Sequence, residues 1–221
     1  MTTALDFDRD FGTPCSPARV AGDARFIAYV QACIRAVGKD DTQARVAELT
    51  RSLVQDWRMP DPRYLQCQPD APYGSYLLYL SEAADLCIVL DVFMARQAAI
   101  AHNHLCWCVF SCLEGVERED IYQVPDDLSS APVKTVSRLR KPGEVTLADA
   151  APGAFHQVAC AEGERAISLH VYGADIGTLH RQMWDDAAKS FVPFRSGYSN
   201  DIVGVPTYLS PQDARAGSAT M

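Results

Sequence analysis

The sequence predicts a mainly β protein in which an N-terminal helical cap precedes a β-barrel. Two observations indicate this class. Apolar residues recur at helical spacing only before residue 60. Beyond residue 74 the chain divides into short β-branched or aromatic runs that are separated by turn residues. Because no linker interrupts the β part, we expect residues 1–221 to form one domain.

The N-terminal part is expected to begin with an irregular arm and to continue as the helical cap. Residues 1–22 contain Gly, Pro and Ser without periodicity. The cap covers residues 23–60, where "DARFIAYVQACIRAVG" predicts one helix that ends at Gly38. The segment "KDDTQ" supplies the N-cap of a second helix. The prolines of "MPDPRYLQCQPDAPYG" then predict a connecting loop.

The barrel is expected over residues 75–195. Its predicted strands are "SYLLYL", "LCIVLDVFM", "LCWCVFSCLEG", "EDIYQV", "VKTVSRL", "EVTLA", "FHQVAC" and "ERAISLHVYG". Many short strands with turn signals between them are typical of a sandwich or a barrel. Residues 205–221 are expected to form a mobile tail.

Charge and hydropathy exclude two classes of partner. The net charge is −8, from 28 acidic and 20 basic residues, and the densest basic run is only "RLRK", which disfavours binding to nucleic acid. No apolar run reaches the roughly 18–20 residues of a membrane helix, and the acidic N-terminus does not resemble a secretion signal. We therefore expect a cytoplasmic protein that binds neither nucleic acid nor a membrane; its oligomeric state stays open.

The eight cysteines are expected to be reduced thiols, because disulfides are rare in the cytosol. They do not form the paired CxxC motifs of a structural zinc site. Most are therefore predicted to be small buried apolar residues.

Histidines indicate a metal site. His102 and His104 are two residues apart, so in an extended strand both side chains point to the same face. His156 begins another predicted strand about fifty residues further on. Three imidazoles can occupy one face of a metal ion and leave positions open, and they suit Zn, Fe, Cu or Ni. The alternative is that these histidines are structural.

A second pattern lies in "SLHVY", where Ser168, His170 and Tyr172 alternate on one face of a predicted strand. Hydroxyl, imidazole and phenol together can form a hydrogen-bond relay. The alternative is an ordinary half-buried strand with a tyrosine at its rim.

These motifs together resemble a known family. "HNH" with the following "LEG" resembles the first cupin motif, and "GAFHQV" resembles the second. "AISLHVYGADIGTLHR" is similar to the corresponding run of bacterial thiol dioxygenases, the cysteine dioxygenase superfamily, and in particular of 3-mercaptopropionate dioxygenase-like enzymes. The resemblance spans roughly residues 75–185 and implies a jelly-roll-like cupin barrel.

The resemblance implies roles for the two groups of residues. His102, His104 and His156 match the three histidines that bind Fe²⁺ in this family, and the Ser168, His170 and Tyr172 positions match its outer-sphere triad. Where ordinary cupins place a fourth ligand, a glutamate, this sequence has Cys108. That substitution is typical of a three-histidine site.

Cys108 has a further implication. In mammalian-type cysteine dioxygenases a cysteine at this position joins the catalytic tyrosine through a thioether, whereas many bacterial relatives have glycine. The resemblance therefore suggests a thioether between Cys108 and Tyr172. The alternative is that Cys108 stays a free thiol in the pocket.

Arg181 is the candidate for substrate binding. "SYLLYL" lacks the arginine that cysteine dioxygenases place before the HxH motif, but Arg181 matches the carboxylate-facing arginine of 3-mercaptopropionate dioxygenases. A guanidinium pairs with a carboxylate through two hydrogen bonds. The alternative is that Arg181 lies on the surface of a helix after the barrel. "RQAAIAHNH" also lacks the family's usual Gly and Pro, so the pocket mouth is expected to differ.

The activity implied by the resemblance is oxidation of a small carboxylate-bearing thiol by O2 to a sulfinic acid. The candidate substrates are 3-mercaptopropionate, cysteine or a related thiol. Two alternatives remain: a cupin metalloenzyme with other chemistry, and a non-catalytic cupin that senses a ligand or a metal.

Overall fold

A computed structural model describes residues 23–59, 61–67 and 71–199. The expected irregular arm (1–22) and the expected tail (205–221) lie outside the described residues.

The N-terminal part contains two α-helices, α1 (Ala24–Ala36) and α2 (Thr42–Leu53), followed by a short 3-10 helix, Pro62–Tyr64. The side chain of Asp23 caps α1 by accepting hydrogen bonds from the backbone N–H groups of its first turn. The helix ends before Gly38, whose φ of +80° favours glycine. None of the described helices has the length and apolar content that crossing a lipid bilayer requires.

The rest of the described chain is built from antiparallel strands. They are β1 (Gly74–Leu80), β2 (Cys87–Met94), β3 (Cys108–Gln123), β4 (Val133–Arg140), β5 (Val145–Ala148), β6 (Ala154–Tyr172), β7 (Arg181–Asp185) and β8 (Ser190–Phe194). Their order in the main sheet is β1-β2-β6-β3-β4, β5 also pairs with β3, and β7 pairs with β8.

Two long strands, β3 and β6, replace four shorter strands that the sequence predicts. "LCWCVFSCLEG" and "EDIYQV" both fall in β3 apart from the first residues of the former and the last residue of the latter. "FHQVAC" and "ERAISLHVYG" both fall in β6 except for the final glycine. The prediction of separate strands was therefore wrong. The polar residues between the runs lie at a bend, where the β3–β6 register shifts between Cys112 and Glu117. Such bulges bend the strand without ending it.

The bend divides the strands into two facing layers. One end of β6 pairs with β2 and with the start of β3. Its other end pairs with the second half of β3, and isolated bridges join it through His102 to Met183 of β7. The strands thereby enclose an interior, which is the barrel that the sequence predicts.

Alternation along β6 decides what faces the interior. Ile167, Leu169 and Val171 pack in one apolar core with the helices. The intervening residues therefore point away from the helices and into the barrel. The predicted mainly β class with an N-terminal helical region is confirmed.

Candidate metal centre

The three predicted histidines converge in the barrel interior. Each of His102, His104 and His156 offers a ring nitrogen, and these three atoms lie within 4.8 Å of one another. The shortest separation that joins two rings is 3.0 Å, between Nε2 of His104 and Nε2 of His156. All three side chains are buried.

The HxH motif reaches this site from a loop. The expectation of an extended strand was wrong, because β3 begins only at Cys108. His102 pairs with His156 and Met183 only through isolated bridges outside the strands. Leu105, at φ +56°, turns the chain between the second histidine and the strand. The two rings face the same site because of this loop geometry, with ring centroids 5.2 Å apart.

Hydrogen bonding and burial prepare the first two histidines as neutral ligands. His102 Nδ1 lies 2.7 Å from the carbonyl oxygen of Ile100, to which it donates as an N–H, so Nε2 carries the lone pair. Burial lowers the pKa of His102 and of His104 well below the usual value.

His156 is oriented by an acidic residue that the sequence reasoning missed. Its Nδ1–H donates to Glu119 Oε1 over 3.1 Å, and Arg140 donates to Glu119 Oε2 from Nη2 at 2.6 Å and from Nε at 3.1 Å. Burial raises the pKa of Glu119, but the bonds and charges of His156 and Arg140 outweigh it and lower the pKa to about 2. The sequence signal that could have identified Glu119 is its position in a predicted strand, where alternate side chains point inward.

The donor set fits a divalent transition metal. The Nε2 atoms of His104 and His156 face each other at 3.0 Å, and the Nδ1–H of His156 is committed to Glu119. The Nε2 lone pair of His156 therefore points into the site, and a separation of 3.0 Å suits two nitrogens that bind one metal ion side by side at about 2 Å each. Neutral imidazoles with an anionic hydrogen-bond partner behind them are typical of metal sites.

The predicted relay lies beside the histidines. Ser168 Oγ is 2.8 Å from His170 Nε2, and the Tyr172 hydroxyl is 3.0 Å from His170 Nδ1. Burial lowers the pKa of His170 to about 3 and raises the pKa of Tyr172 well above its usual value, so both are neutral. The Tyr172 ring lies 5.2 Å, centroid to centroid, from the ring of His104.

Cys108 lies directly opposite Tyr172 in the register of β3 and β6. Its side chain is fully buried, and burial raises the pKa of the thiol well above its usual value while a hydrogen bond with Tyr172 opposes that rise. The other register partner of Tyr172 is Cys87 on β2.

Arg181 also belongs to this interior. It is the first residue of β7 and is 3% exposed, so the alternative of a surface residue on a helix is wrong. Its Nη2 donates to Ser196 Oγ over 3.0 Å, and the guanidinium lies over the ring of Phe194 at 4.5 Å.

One cavity connects these groups. Its volume is about 20 Å³, which is room for about one water molecule, so a ligand must displace side chains at its mouth to enter. Its lining residues are Tyr73, Ser75, Asp91, Phe93, Ala99, His102, His104, His156, Val158, His170, Tyr172, Ile176, Arg181 and Ser196. The sequence reasoning missed Asp91, since an acidic residue within the apolar run "LCIVLDVFM" was the only signal.

Comparisons with known proteins give likenesses of fold. No family model matches the chain. TT1209 from Thermus thermophilus is 20% identical with a TM-score of 0.41, over 53% of this chain and 98% of its own. A Klebsiella pneumoniae protein with a double-stranded β-helix domain is 14% identical with a TM-score of 0.41, over 62% of this chain and 97% of its own. A cupin 2 conserved barrel domain protein from Rhodopseudomonas palustris is 12% identical with a TM-score of 0.40, over 55% of this chain and 75% of its own. We infer no activity from these likenesses.

Proposed function

We propose that this protein is a non-haem Fe(II) thiol dioxygenase that acts on a small carboxylate-bearing thiol. One observation carries the proposal: three buried histidines, the imidazole and phenol of the buried relay, and a buried arginine line a single cavity. A three-histidine metal site without the relay and the arginine would not indicate which reaction it catalyses. The relay and the arginine supply the proton and carboxylate contacts that a thiol acid needs.

The reaction balances without any further reductant. A thiolate and O2 give a sulfinate, in which the sulfur loses four electrons and the two oxygen atoms gain them. Bound by His102, His104 and His156, Fe(II) would bring thiolate and O2 together and permit this electron transfer. Every other requirement falls to the protein: to bind the acid, to exclude water and to hold a proton nearby.

Arg181 is the proposed carboxylate contact. Its planar fork suits two hydrogen bonds to a carboxylate, and stacking on Phe194 fixes the plane of the guanidinium. Because the side chain is buried, this charge attracts an anion more strongly than a surface arginine would.

Tyr172 is the proposed proton holder at the hydroxyl oxygen. One proton arrangement of the relay leaves the phenol proton free. When Ser168 donates to His170 Nε2, His170 donates from Nδ1 to the phenol oxygen, and the phenol proton is free for the substrate. The stacking of His170 on Phe110, with centroids 5.2 Å apart, keeps the imidazole in this plane.

A thioether between Cys108 and Tyr172 is part of this proposal. Register pairing puts the two residues side by side, and both side chains are buried. Formation of the S–C bond removes the thiol hydrogen and one ring hydrogen, with O2 as the acceptor. Intact mass after exposure of the iron-loaded protein to O2 should fall by two hydrogen atoms, and an unmodified Tyr172 peptide would rule the thioether out.

The experiment that tests the proposed function is oxygen uptake by the iron-loaded protein with a panel of thiols. With ¹⁸O2, a carboxylate-bearing thiol should yield a sulfinate that carries two labelled oxygen atoms. The His156→Ala variant is the control, since it should lose iron and uptake together. No uptake with any thiol would sink the proposal, and occupancy by zinc with full stability would favour other cupin chemistry or a sensing role.

A further inference from the structure

Two residues that line the cavity of the three histidines each have a buried polar atom without a hydrogen-bond partner. Among the described residues, side chains with such atoms are those of Asp91, Glu117, Thr146 and Arg181. Of these, only Asp91, through Oδ1, and Arg181, through Nε, line the cavity of the three histidines.

These atoms have opposite chemical requirements. A buried carboxylate oxygen without a donor and a buried N–H without an acceptor each cost free energy. Asp91 is 7% exposed and Arg181 is 3% exposed, so bulk water does little to lower either cost. A ligand that carries both an acceptor and a cationic donor would satisfy them together.

We propose that Asp91 is a specificity determinant that accepts a hydrogen bond from an ammonium group of the substrate. The preferred substrate class is then a zwitterionic thiol, with its carboxylate on Arg181 and its ammonium on Asp91. This inference rests on the proposed function and narrows its substrate.

Strand pairing holds Asp91 in place for this role. It lies on β2, opposite Ser75 of β1 and Ser168 of β6. Its Oδ2 is 3.5 Å from His170 Nε2, whereas Oδ1 has no hydrogen-bond partner among the described residues. A ligand that reaches Oδ1 would therefore satisfy a carboxylate oxygen that the protein leaves unpaired.

The electrostatics of Asp91 agree with this assignment. Burial raises the pKa of Asp91 to about 7, and the charge of Arg181 opposes that rise only in part. The carboxyl group is thus ready to ionise when a cation approaches, because a nearby positive charge favours the carboxylate.

Asp91 has one competing role, which is to set the proton position of His170. A residue that acts only through the relay would alter the handling of every thiol alike. A residue that contacts an ammonium group distinguishes thiols that have this group from thiols that lack it. The two roles therefore separate in a comparison of ligands.

Anaerobic calorimetry of the iron-loaded protein provides that comparison, with cysteine, 3-mercaptopropionate and cysteamine as ligands. Wild type should bind cysteine at least about tenfold more tightly than 3-mercaptopropionate. Asp91→Asn should weaken cysteine and cysteamine by about 10–100-fold and change 3-mercaptopropionate by less than about twofold. Asp120→Asn is the matched control: it makes the same change at a buried carboxylate that accepts a hydrogen bond from Ser137 and does not line this cavity, and it should keep the wild-type preference.

Two outcomes would overturn the inference. One is wild-type protein that binds 3-mercaptopropionate as tightly as cysteine, a result that needs no variant to fold. The other is an Asp91→Asn variant that weakens all three ligands equally. Because O2 is absent, a protein that passes this test and yet never consumes O2 would contradict the dioxygenase proposal alone.

Discussion

At the scale of single residues, the candidate metal centre depends on side chains that orient its three histidines. Glu119 connects His156 to Arg140, and the sum of these contacts fixes which nitrogen of His156 faces the site. A carboxylate behind a ligand histidine also raises the basicity of the imidazole.

Glu119→Gln should lower metal affinity by about 10–100-fold, because the amide keeps the shape but loses the charge. Competition with a chelator measures this change directly. Glu117→Gln is the control on the same strand and the same face, and it should leave affinity within about twofold of wild type. Equal losses in both variants would show that Glu119 has no special relation to the metal.

Tyr172→Phe should retain iron and fold normally but turn over about 100-fold more slowly, since only the hydroxyl that meets His170 is lost. Iron content and steady-state oxygen uptake test this pair of statements. Unchanged kcat would remove the phenol from the mechanism.

Arg181→Ala should raise KM for 3-mercaptopropionate by about 10–100-fold with a smaller effect on kcat, because a carboxylate contact is lost. Cysteamine has no carboxylate and serves as the matched substrate. If its KM rises as much, the arginine acts through the structure of the cavity and not through the acid.

Much of the residue set follows from sequence spacing, and the structure brings it together. The i, i+2 spacing of Ser168, His170 and Tyr172 is sufficient to place them on one face. Glu119 and Asp91 were missed because their relation to the site arises across strands. Pairing register is a property of the folded chain, and local pattern does not encode it.

At the scale of elements, the bend in β3 and β6 creates the site. In a straight strand, 16 residues from His156 to Tyr172 would span about 53 Å. Yet both side chains meet the His104 ring, with centroid distances of 4.7 Å and 5.2 Å. The bulges of β3 make this curvature possible.

Gly115→Ala should destabilise the protein by about 2–4 kcal/mol, which combines the strain of its φ of +74° with a steric overlap. A Cβ there would lie 2.2 Å from the carbonyl oxygen of Arg165, across the bend. Urea unfolding measures the loss.

Gly163→Ala is the control for the steric part. Its φ is +80°, but no atom lies within 4 Å of an added Cβ, so only strain of about 1–2 kcal/mol is expected. Equal losses in the two variants would mean that the bend tolerates the overlap at Gly115.

The sequence predicts the existence of these elements better than their extent. Polar residues around Gly163 read as a turn because exposed strand residues at a bend have the same composition as a turn. The HxH segment read as a strand because an apolar run by itself does not reveal the left-handed turn at Leu105.

At the scale of the whole molecule, buried carboxyls connect stability to pH. Burial raises the pKa of both Asp91 and Glu117 to about 7, whereas unfolded carboxyls titrate near 4. Between these values the folded state binds more protons, so each group lowers stability progressively as pH rises through this window.

Glu117→Gln should therefore gain stability over wild type as pH rises, by on the order of 2–4 kcal/mol at pH 8 and little at pH 5. Urea unfolding of the metal-free proteins at both pH values gives the two differences. Replacement of exposed Glu162 by Gln is the control and should show no such trend. A pH-independent gap for Glu117 would indicate that its carboxyl stays ionised or neutral throughout.

The overall class is the part that sequence predicts most completely. Helical periodicity before residue 60 and alternating runs after residue 74 correspond to α1, α2 and the strands. How the two layers close through bridges at His102 depends on long-range contacts, which no local pattern contains.

Strand β6 contributes both the candidate metal ligand His156 and the phenol of Tyr172 to one pocket. Under the proposed function, ligand and proton holder therefore lie on one continuous strand. A chimera that joins two related barrels anywhere between residues 157 and 171 would combine a ligand from one parent with a phenol from the other, and only crossovers outside β6 would exchange the complete chemistry.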